Sequence, residues 1–232
     1  MVIIKNPLTV VQQAGGGGGL QDGYGSILYN DGSVGEILKI QNSTELNSLC
    51  NWNGTSTISI GGKTINPANI QGVFVGNEVT DLPNNFCYGF SGLVSLLLPD
   101  GLTTIGQNCF SYLSTFNSPL VLPDTVTTIG KSSFSHLDSF NSPITLPADL
   151  TTGGLAMHCF YYMPNMTNII YLGDLPTTVL PSNSARIFAT GSSTDPCYTT
   201  GITISGTYAS DWTTALPDND SAPNYRKLII DS

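Results

Sequence analysis

One sequence unit recurs every 24 residues between residues 98 and 150, and this repeat constrains the fold of the whole chain. The stretch LPDGLTTIG at 98–106 returns as LPDTVTTIG at 122–130, and each copy is followed by FNSP ten residues further on. The same offset separates two sets of residues, Pro99, Pro123 and Pro147, and Phe86, Phe110 and Phe134. A fixed period of this size indicates stacked repeats, because a single unit cannot bury its own apolar face. The sequence therefore predicts a solenoid.

Two apolar patterns follow one another within each unit. Residues 120–122 form a short alternating run that predicts a strand, whereas the wider spacing of Phe110, Leu113 and Phe116 predicts a turn or two of helix. The Leu-Pro-Asp sequence ends the strand, because proline has no amide hydrogen to donate and aspartate favours a turn. We therefore predict a β-rich α/β solenoid of leucine-rich-repeat design, with about four to five coils, a small N-terminal module and a C-terminal cap.

The repeated phenylalanines predict a column in the core. Phe86, Phe110, Phe134 and Phe160 would lie above one another, each burial contributing roughly 1.5–3 kcal/mol. Phe134 and Phe160 are 26 residues apart, so the fourth coil carries a two-residue insertion. We place the insertion at Gly153 and Gly154, and expect it to bulge outward and leave the column intact.

The repeat resembles a known family. The pattern Leu-Pro-Asp-x-Val-Thr-Thr-Ile-Gly-x-x-x-Phe, followed by Phe-Asn-Ser-Pro, is similar to the BspA-type leucine-rich repeat over about Val79 to Asp174. That repeat occurs in bacterial surface proteins and in bacteriophage proteins, including those of gut phages. Phe-Asn-Ser-Pro replaces a Cys-x-x-Leu-like stretch of many relatives. The resemblance implies protein or glycan binding and brings no catalytic residues, so we expect neither an enzyme nor a cofactor.

Composition changes divide the chain into four parts. These are an N-terminal apolar and glycine-rich anchoring segment (1–20), a small N-terminal module (21–72), the leucine-rich-repeat solenoid (73–174), and an irregular last coil with a C-terminal cap (175–232). In the module, the apolar residues of Gly35–Cys50 predict a helix, capped near Ser43 or Thr44. Thr57–Ile65 alternates on both sides of a Gly-Gly pair and predicts a hairpin.

The first 20 residues predict a docking peptide. Apolar heads followed by glycine runs are found in phage structural proteins, and here an apolar stretch precedes Gly15–Gly19. The residues expected to anchor the chain to other virion proteins are Ile3, Ile4, Pro7, Leu8, Val10 and Val11. The alternative is that these residues form a flexible N-terminal tail, since five consecutive glycines are typical of a flexible linker. The segment lacks the apolar core of a classical signal peptide, which favours a virion component over an exported adhesin.

The charge pattern bears on the partners. Charged residues make up only 10% of the chain, its net charge is −9, and its seven basic residues are scattered. Nucleic acid and anionic membranes are therefore poor partners, and no apolar stretch reaches the length of a membrane span. This composition suits secreted or virion proteins.

The residues that could carry chemistry do not form recognisable sites. The cysteines contain no C-x-x-C pair and their number is odd, which argues against a complete disulfide framework. Cys109 and Cys159 precede column phenylalanines, so small buried side chains are favoured over metal or redox roles. Neither His136 nor His158 has an acidic residue at a sequence spacing typical of a catalytic pair. Only Asp218-Asn219-Asp220 approaches the clustered oxygen ligands that a calcium site needs. We predict no catalytic residue and no metal site.

Two surfaces are candidates for binding. Two residues after each column phenylalanine the sequence has an aromatic residue, which predicts a ladder along one flank: Tyr88, Tyr112, His136 and Tyr162. Such a ladder suits glycan or protein recognition, whereas the alternative is that the rings only pack between coils. Outward strand residues form the second surface, which a partner or the chain's own loops would cover: Leu97, Val121, Thr145 and Tyr171.

These features together predict a non-enzymatic structural component of a bacteriophage virion, such as a head fibre, decoration protein or tail-associated fibre. A homo-oligomer is expected, with a host surface glycan or protein as ligand. The alternative is a bacterial cell-surface adhesin or a secreted host-binding repeat protein.

Overall fold

The computed structural model describes residues 20–32, 35–50, 52, 54–150, 154–166, 168–171, 202–205 and 228–230. These residues form strands β1 (Gly25–Tyr29), β2 (Glu36–Lys39), β3 (Ile58–Ile60), β4 (Lys63–Ile65), β5 (Ile70–Val75), β6 (Asp81–Leu82), β7 (Ser95–Leu97), β8 (Thr104–Ile105), β9 (Leu120–Val121), β10 (Thr128–Ile129), β11 (Ile144–Leu146), β12 (Asn168–Tyr171), β13 (Ile202–Ser205) and β14 (Leu228–Ile230). They also form the α-helix α1 (Ser43–Ser48) and a 3-10 turn (Pro67–Asn69). No helix in this part of the chain is long and apolar enough to cross a membrane.

The N-terminal strands form a mixed sheet that continues into the first repeat. Its order is β2-β1-β5-β7, in which β1 runs antiparallel to β2 and to β5, and β5 runs parallel to β7. The boundary predicted between residues 72 and 73 lies inside β5, and the division into four parts stays a prediction. Most of the predicted cap (175–232) lies outside the described residues.

Successive repeats pair their strands in parallel. One sheet has the order β10-β8-β6, and a second has the order β14-β13-β12-β11-β9. In the second sheet Leu120, Ile144 and Ile169 lie level with one another, at offsets of 24 and 25 residues along the chain. The sequence period is therefore the distance along the chain from one strand to its neighbour in the sheet.

The predicted phenylalanine column is confirmed. Its four side chains are at most 1% exposed. Ring centroids are 6.0 Å apart between Phe86 and Phe110, 5.4 Å between Phe110 and Phe134, and 5.7 Å between Phe134 and Phe160. Aromatic pairs at such distances contribute beyond the area that they bury, so the column joins each repeat to the next.

The helix predicted after the column phenylalanine is wrong. This part of the described repeats consists largely of turns, in which Tyr112 and His136 have left-handed φ angles of 61° and 57° that no α-helix contains. The amides bond to the following repeat instead: Phe110 N donates to Ser133 O at 2.7 Å and Tyr112 N donates to Ser135 O at 3.0 Å. Hydrogen bonds between repeats therefore replace those that a helix would make.

The motif Phe-Asn-Ser-Pro bonds neighbouring repeats together. Asn117 Oδ1 accepts from the amide of Asn141 at 2.9 Å, and Ser118 Oγ donates to the carbonyl of Val94. Each bond joins positions 24 residues apart and satisfies a backbone group that lies outside the strands. This part of the motif has a structural role.

The prediction of one helix over Gly35–Cys50 is wrong in its first half. Residues 36–39 form β2, because Ile37 and Leu38 alternate across a strand that pairs with β1. Helix α1 begins only at Ser43, after the N-cap residue Asn42, whose Oδ1 accepts from Glu45 N at 3.0 Å. The hairpin predicted over Thr57–Ile65 is confirmed as β3 and β4.

The insertion lies slightly earlier than predicted. Ile129 forms a parallel bridge with Leu155, 26 residues later, so the extra residues precede Leu155. Gly154 is buried, and its carbonyl accepts from Ile129 N at 2.6 Å, which places it in line with the repeat and not in a bulge. Residues 151–153 lie outside the described residues. The column beside the insertion is intact, as expected.

Candidate functional site

The structure brings the four residues of the predicted aromatic ladder together. Tyr88 and Tyr112 have ring centroids 5.4 Å apart at an interplanar angle of 61°. Tyr112 stacks on His136 at 4.3 Å and 8°, and His136 contacts Tyr162 at 4.9 Å and 33°. Tyr161 adds a fifth ring that the sequence reasoning missed, 5.4 Å from His136. The Tyr-Tyr pair at 161–162 is the sequence feature that could have indicated this fifth ring.

An unusual backbone conformation positions these rings. Tyr112, His136 and Tyr162 have left-handed φ angles of 61°, 57° and 52°. This conformation costs a residue other than glycine about 1–3 kcal/mol, and glycine or asparagine would adopt it at lower cost. The first repeat differs, because Gly89 has the left-handed φ of 73° there. Three repeats thus carry an aromatic ring where the backbone alone would favour a smaller residue.

The ladder is partly open to solvent. Tyr112 is 46% exposed, and Tyr88, His136 and Tyr162 are half-buried. Because His136 has a ring on each side, its faces are covered and its edge points away from the stack. The rings therefore pack between repeats, as the packing alternative requires, and are also partly accessible to solvent.

The surroundings of His136 favour its neutral form. Burial lowers the pKa of the His136 imidazole below its ordinary value, and the nearby Asp138 carboxylate opposes this shift. Since the pKa in the folded state lies below that in the unfolded chain, protons bind more tightly to the unfolded chain. The contribution of the neutral His136 imidazole to the free energy of unfolding is therefore present at neutral pH and is lost as the pH falls through about 6.5.

This shift predicts an acid-dependent loss of stability. We expect wild-type protein to lose more stability between about pH 7.5 and pH 5 than the variant His136→Tyr, which keeps a ring in the ladder and has no imidazole. Urea unfolding at several pH values measures the difference in unfolding free energy. Because both proteins contain the same carboxylates, the effect of carboxylate titration is removed when the two are compared. Equal pH dependence of the two proteins would contradict the prediction.

The second predicted surface is only partly assembled. Val121 is 70% exposed and Thr145 is half-buried, whereas Leu97 packs against Leu28 and Phe74. Tyr171 does not belong to this row, since it lies opposite Leu146, and the residue beside Thr145 is Ile170. The sequence offset failed here because Ile169, which pairs with Ile144, follows Met166 by three residues, whereas Ile144 follows Phe140 by four. Whether this row or the ladder binds a ligand stays a prediction.

Several predicted residues cannot be placed. The anchoring residues lie outside the described part of the chain: Ile3, Ile4, Pro7, Leu8, Val10 and Val11. The same holds for Cys197 and for Asp218-Asn219-Asp220. Within the described residues, no group of three histidine, cysteine or acidic side chains is arranged to hold a metal ion.

The cysteines near the column are small core residues, as predicted. Cys109 and Cys159 are 0% exposed, and Cys109 Sγ lies 3.2 Å from the carbonyl oxygen of Pro83. Ser133 has the same place in the repeat between them and donates to Gly106 O at 2.8 Å. Burial raises the pKa of the Cys109 thiol to about 12 and that of Cys50 to about 11, so the reactive thiolate is scarce at neutral pH.

These thiols should resist alkylation in the folded protein. We expect iodoacetamide at about pH 8 to leave Cys109 and Cys159 unmodified for hours, because the thiolate is disfavoured and the side chains are enclosed. In urea both should react within minutes. Mass spectrometry of tryptic peptides reads each cysteine separately, and rapid labelling of Cys109 without denaturant would contradict the expectation.

Comparison with known proteins identifies the repeat. A family model described as "BspA type Leucine rich repeat region" matches residues 41–141 and 114–184, in six copies. A comparison with curated proteins returns no match. Repeats of this type suggest a role in binding to proteins or surfaces. Since the matches extend from residue 41 to residue 184, well over half of the 232 residues, the chain belongs to the family of BspA-type leucine-rich-repeat proteins.

Proposed function

We propose that this protein is a non-enzymatic structural component of a bacteriophage virion, in the role of a head fibre, decoration protein or tail-associated fibre. Its N-terminal segment anchors it to other virion proteins. Its repeats form a solenoid of about four to five coils, closed by a C-terminal cap and displayed outward on a homo-oligomer. The aromatic ladder on that solenoid recognises a host surface glycan or protein.

The observation that carries the recognition role is the ladder. Three of its rings sit on left-handed backbone, and the most exposed of them, Tyr112, is 46% accessible. Within the described residues the Tyr112 hydroxyl has no hydrogen-bond partner, so it is available to a ligand. Tyrosine is well suited to recognition, because it offers a large contact area and a polar tip with little loss of rotamer entropy.

The virion setting rests on two resemblances. Repeats of this type occur in bacteriophage proteins, and an apolar head followed by a glycine run is similar to the N-termini of phage structural proteins. The test is to purify particles on a density gradient and quantify the chain by mass spectrometry, comparing the full chain with one that begins at Leu20. We expect only the full chain to copurify, and equal incorporation of both would refute anchoring by the N-terminus.

The alternative is a bacterial cell-surface adhesin or secreted host-binding protein, which is supported by the occurrence of BspA-type repeats in bacterial surface proteins. Gene neighbourhood separates the two, since capsid and tail genes should flank a virion gene. Absence of both chains from purified particles, together with surface labelling of intact bacterial cells, would favour the adhesin.

The ladder can be tested separately from folding by two substitutions at one position. Tyr112→Gly removes the ring and relieves the left-handed backbone, whereas Tyr112→Ala removes the ring and keeps the strain. We expect the glycine variant to unfold within about 1 kcal/mol of wild type, and the alanine variant to be less stable than the glycine variant by about 1 kcal/mol. Urea unfolding measures both.

The folded glycine variant then serves in the binding assay. If the ladder recognises the host, Tyr112→Gly should bind host cells at least several-fold more weakly, whereas Val121→Thr, which alters an exposed residue of the other surface, should bind as wild type does. Loss of stability with intact binding in Tyr112→Ala and Tyr162→Ala would show that the rings serve packing alone.

A further inference from the structure

Three cysteines lie where the segment after helix α1 meets the first repeat. Cys50 follows the C-cap residue of the helix, Cys87 follows the first phenylalanine of the column, and Cys109 precedes the second. Cys87 and Cys109 belong to the hydrophobic core, and Cys50 packs against the same core. All three are free thiols in this structure. Two of them come from segments that pair directly with each other.

The segments that carry Cys50 and Cys87 are held side by side. Cys50 forms an antiparallel bridge with Phe86, and the amide of Cys87 donates to the carbonyl of Leu49 at 2.9 Å. Strand separation in such a bridge, together with the rise of one residue, puts the Cα atoms of Cys50 and Cys87 roughly 6 Å apart. Disulfides join Cα atoms that are about 4.4–6.8 Å apart. The backbone spacing therefore fits a disulfide.

The backbone conformation of Cys87 turns its side chain toward Cys50. Successive side chains of an extended chain point to opposite faces, so an extended Cys87 would point away from Phe86 and from Cys50 opposite it. Its φ angle is 57°. Compared with an extended strand this is a rotation of roughly 180° about the N–Cα bond, which carries the Cβ to the other face. Burial raises the pKa of the Cys87 thiol, and the proximity of Cys50 raises it further.

Cys109 has a different role. Its thiol donates to the carbonyl oxygen of Pro83 at 3.2 Å, and pairing with another cysteine would break this bond. Ser133 has the same place one repeat later and makes an equivalent bond to Gly106 O. The position of Cys109 is therefore part of the repeat, whereas the bridge between Cys50 and Phe86 joins the first repeat to the segment after α1.

We propose that Cys50 and Cys87 form a disulfide that ties helix α1 to the first repeat when the protein meets a small disulfide oxidant, such as oxidised glutathione. The Cys50 thiolate, which is the more accessible, attacks one sulfur of the oxidant, and one glutathione leaves and takes up a proton. The Cys87 thiolate then attacks Cys50 Sγ in the mixed disulfide and releases the second glutathione. The cysteines lose two electrons and two protons, and the oxidant is reduced to two thiols.

Burial makes this exchange slow once the protein has folded. It raises the pKa of the Cys50 thiol to about 11 and that of Cys87 well above its ordinary value, so the attacking thiolates are scarce. The bond therefore forms most readily while the chain folds with an oxidant present. The proposal applies to a virion component and to an adhesin alike, because both function in oxidising surroundings outside the cell.

Refolding the full chain in glutathione redox buffers tests the bond. Remaining thiols are blocked with N-ethylmaleimide, and cleavage after lysine and before aspartate places Cys50, Cys87 and Cys109 on separate peptides: 40–63, 81–99 and 100–123. In oxidising buffer, mass spectrometry should find the first two peptides joined, and in reducing buffer it should find them separate. Pairing of Cys50 or Cys87 with any other cysteine, or free thiols at every ratio of oxidised to reduced glutathione, would overturn the proposal.

Urea unfolding shows whether the bond fits the native structure. Oxidation should raise the urea midpoint of the wild-type protein by about 1 M, because the bond restricts the unfolded chain. Each variant is compared with itself in oxidised and reduced buffer, so its own effect on packing cancels. Cys50→Ser should show no shift, whereas the matched variant Cys109→Ser should keep the shift. A lower midpoint in oxidised wild-type protein, or an equal shift in Cys50→Ser, would also overturn the proposal.

Discussion

Phe134→Ala should destabilise the protein by about 3–5 kcal/mol, which is a large part of the 5–15 kcal/mol typical of a folded domain. Phe134 is 0% exposed and lies between two other rings of the column, 5.4 Å from Phe110 and 5.7 Å from Phe160. Removing it leaves a cavity that neither neighbour can fill, because each is held by the turn of its own repeat. Urea unfolding followed by far-UV circular dichroism measures the loss.

The control and the coupling test come from the same chain. Val121→Ala shortens a side chain that is 70% exposed, and should change the unfolding free energy by less than about 0.5 kcal/mol. The double variant Phe110→Ala with Phe134→Ala should lose less than the sum of the single variants, because the two rings contact each other. Strict additivity of the two unfolding free-energy changes would contradict coupling between the two rings. A loss in Phe134→Ala as small as that in Val121→Ala would contradict a stabilising role of the column.

The column and the ladder were predictable because they depend only on the phase of the repeat. Once Phe86, Phe110 and Phe134 define one core position, any residue at a constant offset must form its own row in the stack. Simple counting therefore placed Tyr88, Tyr112 and His136 side by side. The same counting failed for Tyr171, because one residue fewer separates Met166 from Ile169 than separates Phe140 from Ile144, the residue that pairs with Ile169. Offsets hold only where the chain has neither gained nor lost a residue.

The errors in secondary structure have another cause. Spacings such as that of Phe110, Leu113 and Phe116 suit a helix, and equally suit a turn whose amides bond to the next repeat. Apolar spacing does not reveal where backbone hydrogen bonds go, so the helix was the wrong choice. In the same way Ile37 and Leu38 fit a helix pattern until β1 is available as a partner. What the sequence lacked in both places was the position of a neighbouring segment.

Gly130→Ala should lower the unfolding free energy about as much as the loss of a core ring does. The cause here is steric overlap of the added Cβ with backbone atoms, whereas the loss of a ring leaves a cavity. A Cβ on Gly130 would lie 2.6 Å from Gln107 N and 2.7 Å from Gly106 C. These are backbone atoms of the preceding repeat, and they cannot withdraw without lengthening the bond from Gly130 N to Ile105 O, now 2.8 Å. We expect a loss of about 3 kcal/mol, measured as the shift of the urea midpoint at unchanged slope.

Gly101→Ala is the matched control, because no atom lies within 4 Å of its added Cβ and its φ is not in the left-handed region. It should be neutral or stabilise the protein by about 0.4–1 kcal/mol, by restricting the unfolded chain. Ala156 supplies a natural comparison, since its amide donates to Ile129 O at 3.0 Å as that of Gly130 donates to Ile105 O. Its repeat follows the insertion and has room for a methyl group. If Gly130→Ala proves as mild as Gly101→Ala, the spacing between repeats is adjustable everywhere, and the close approach at Gly130 does not determine how the repeats stack.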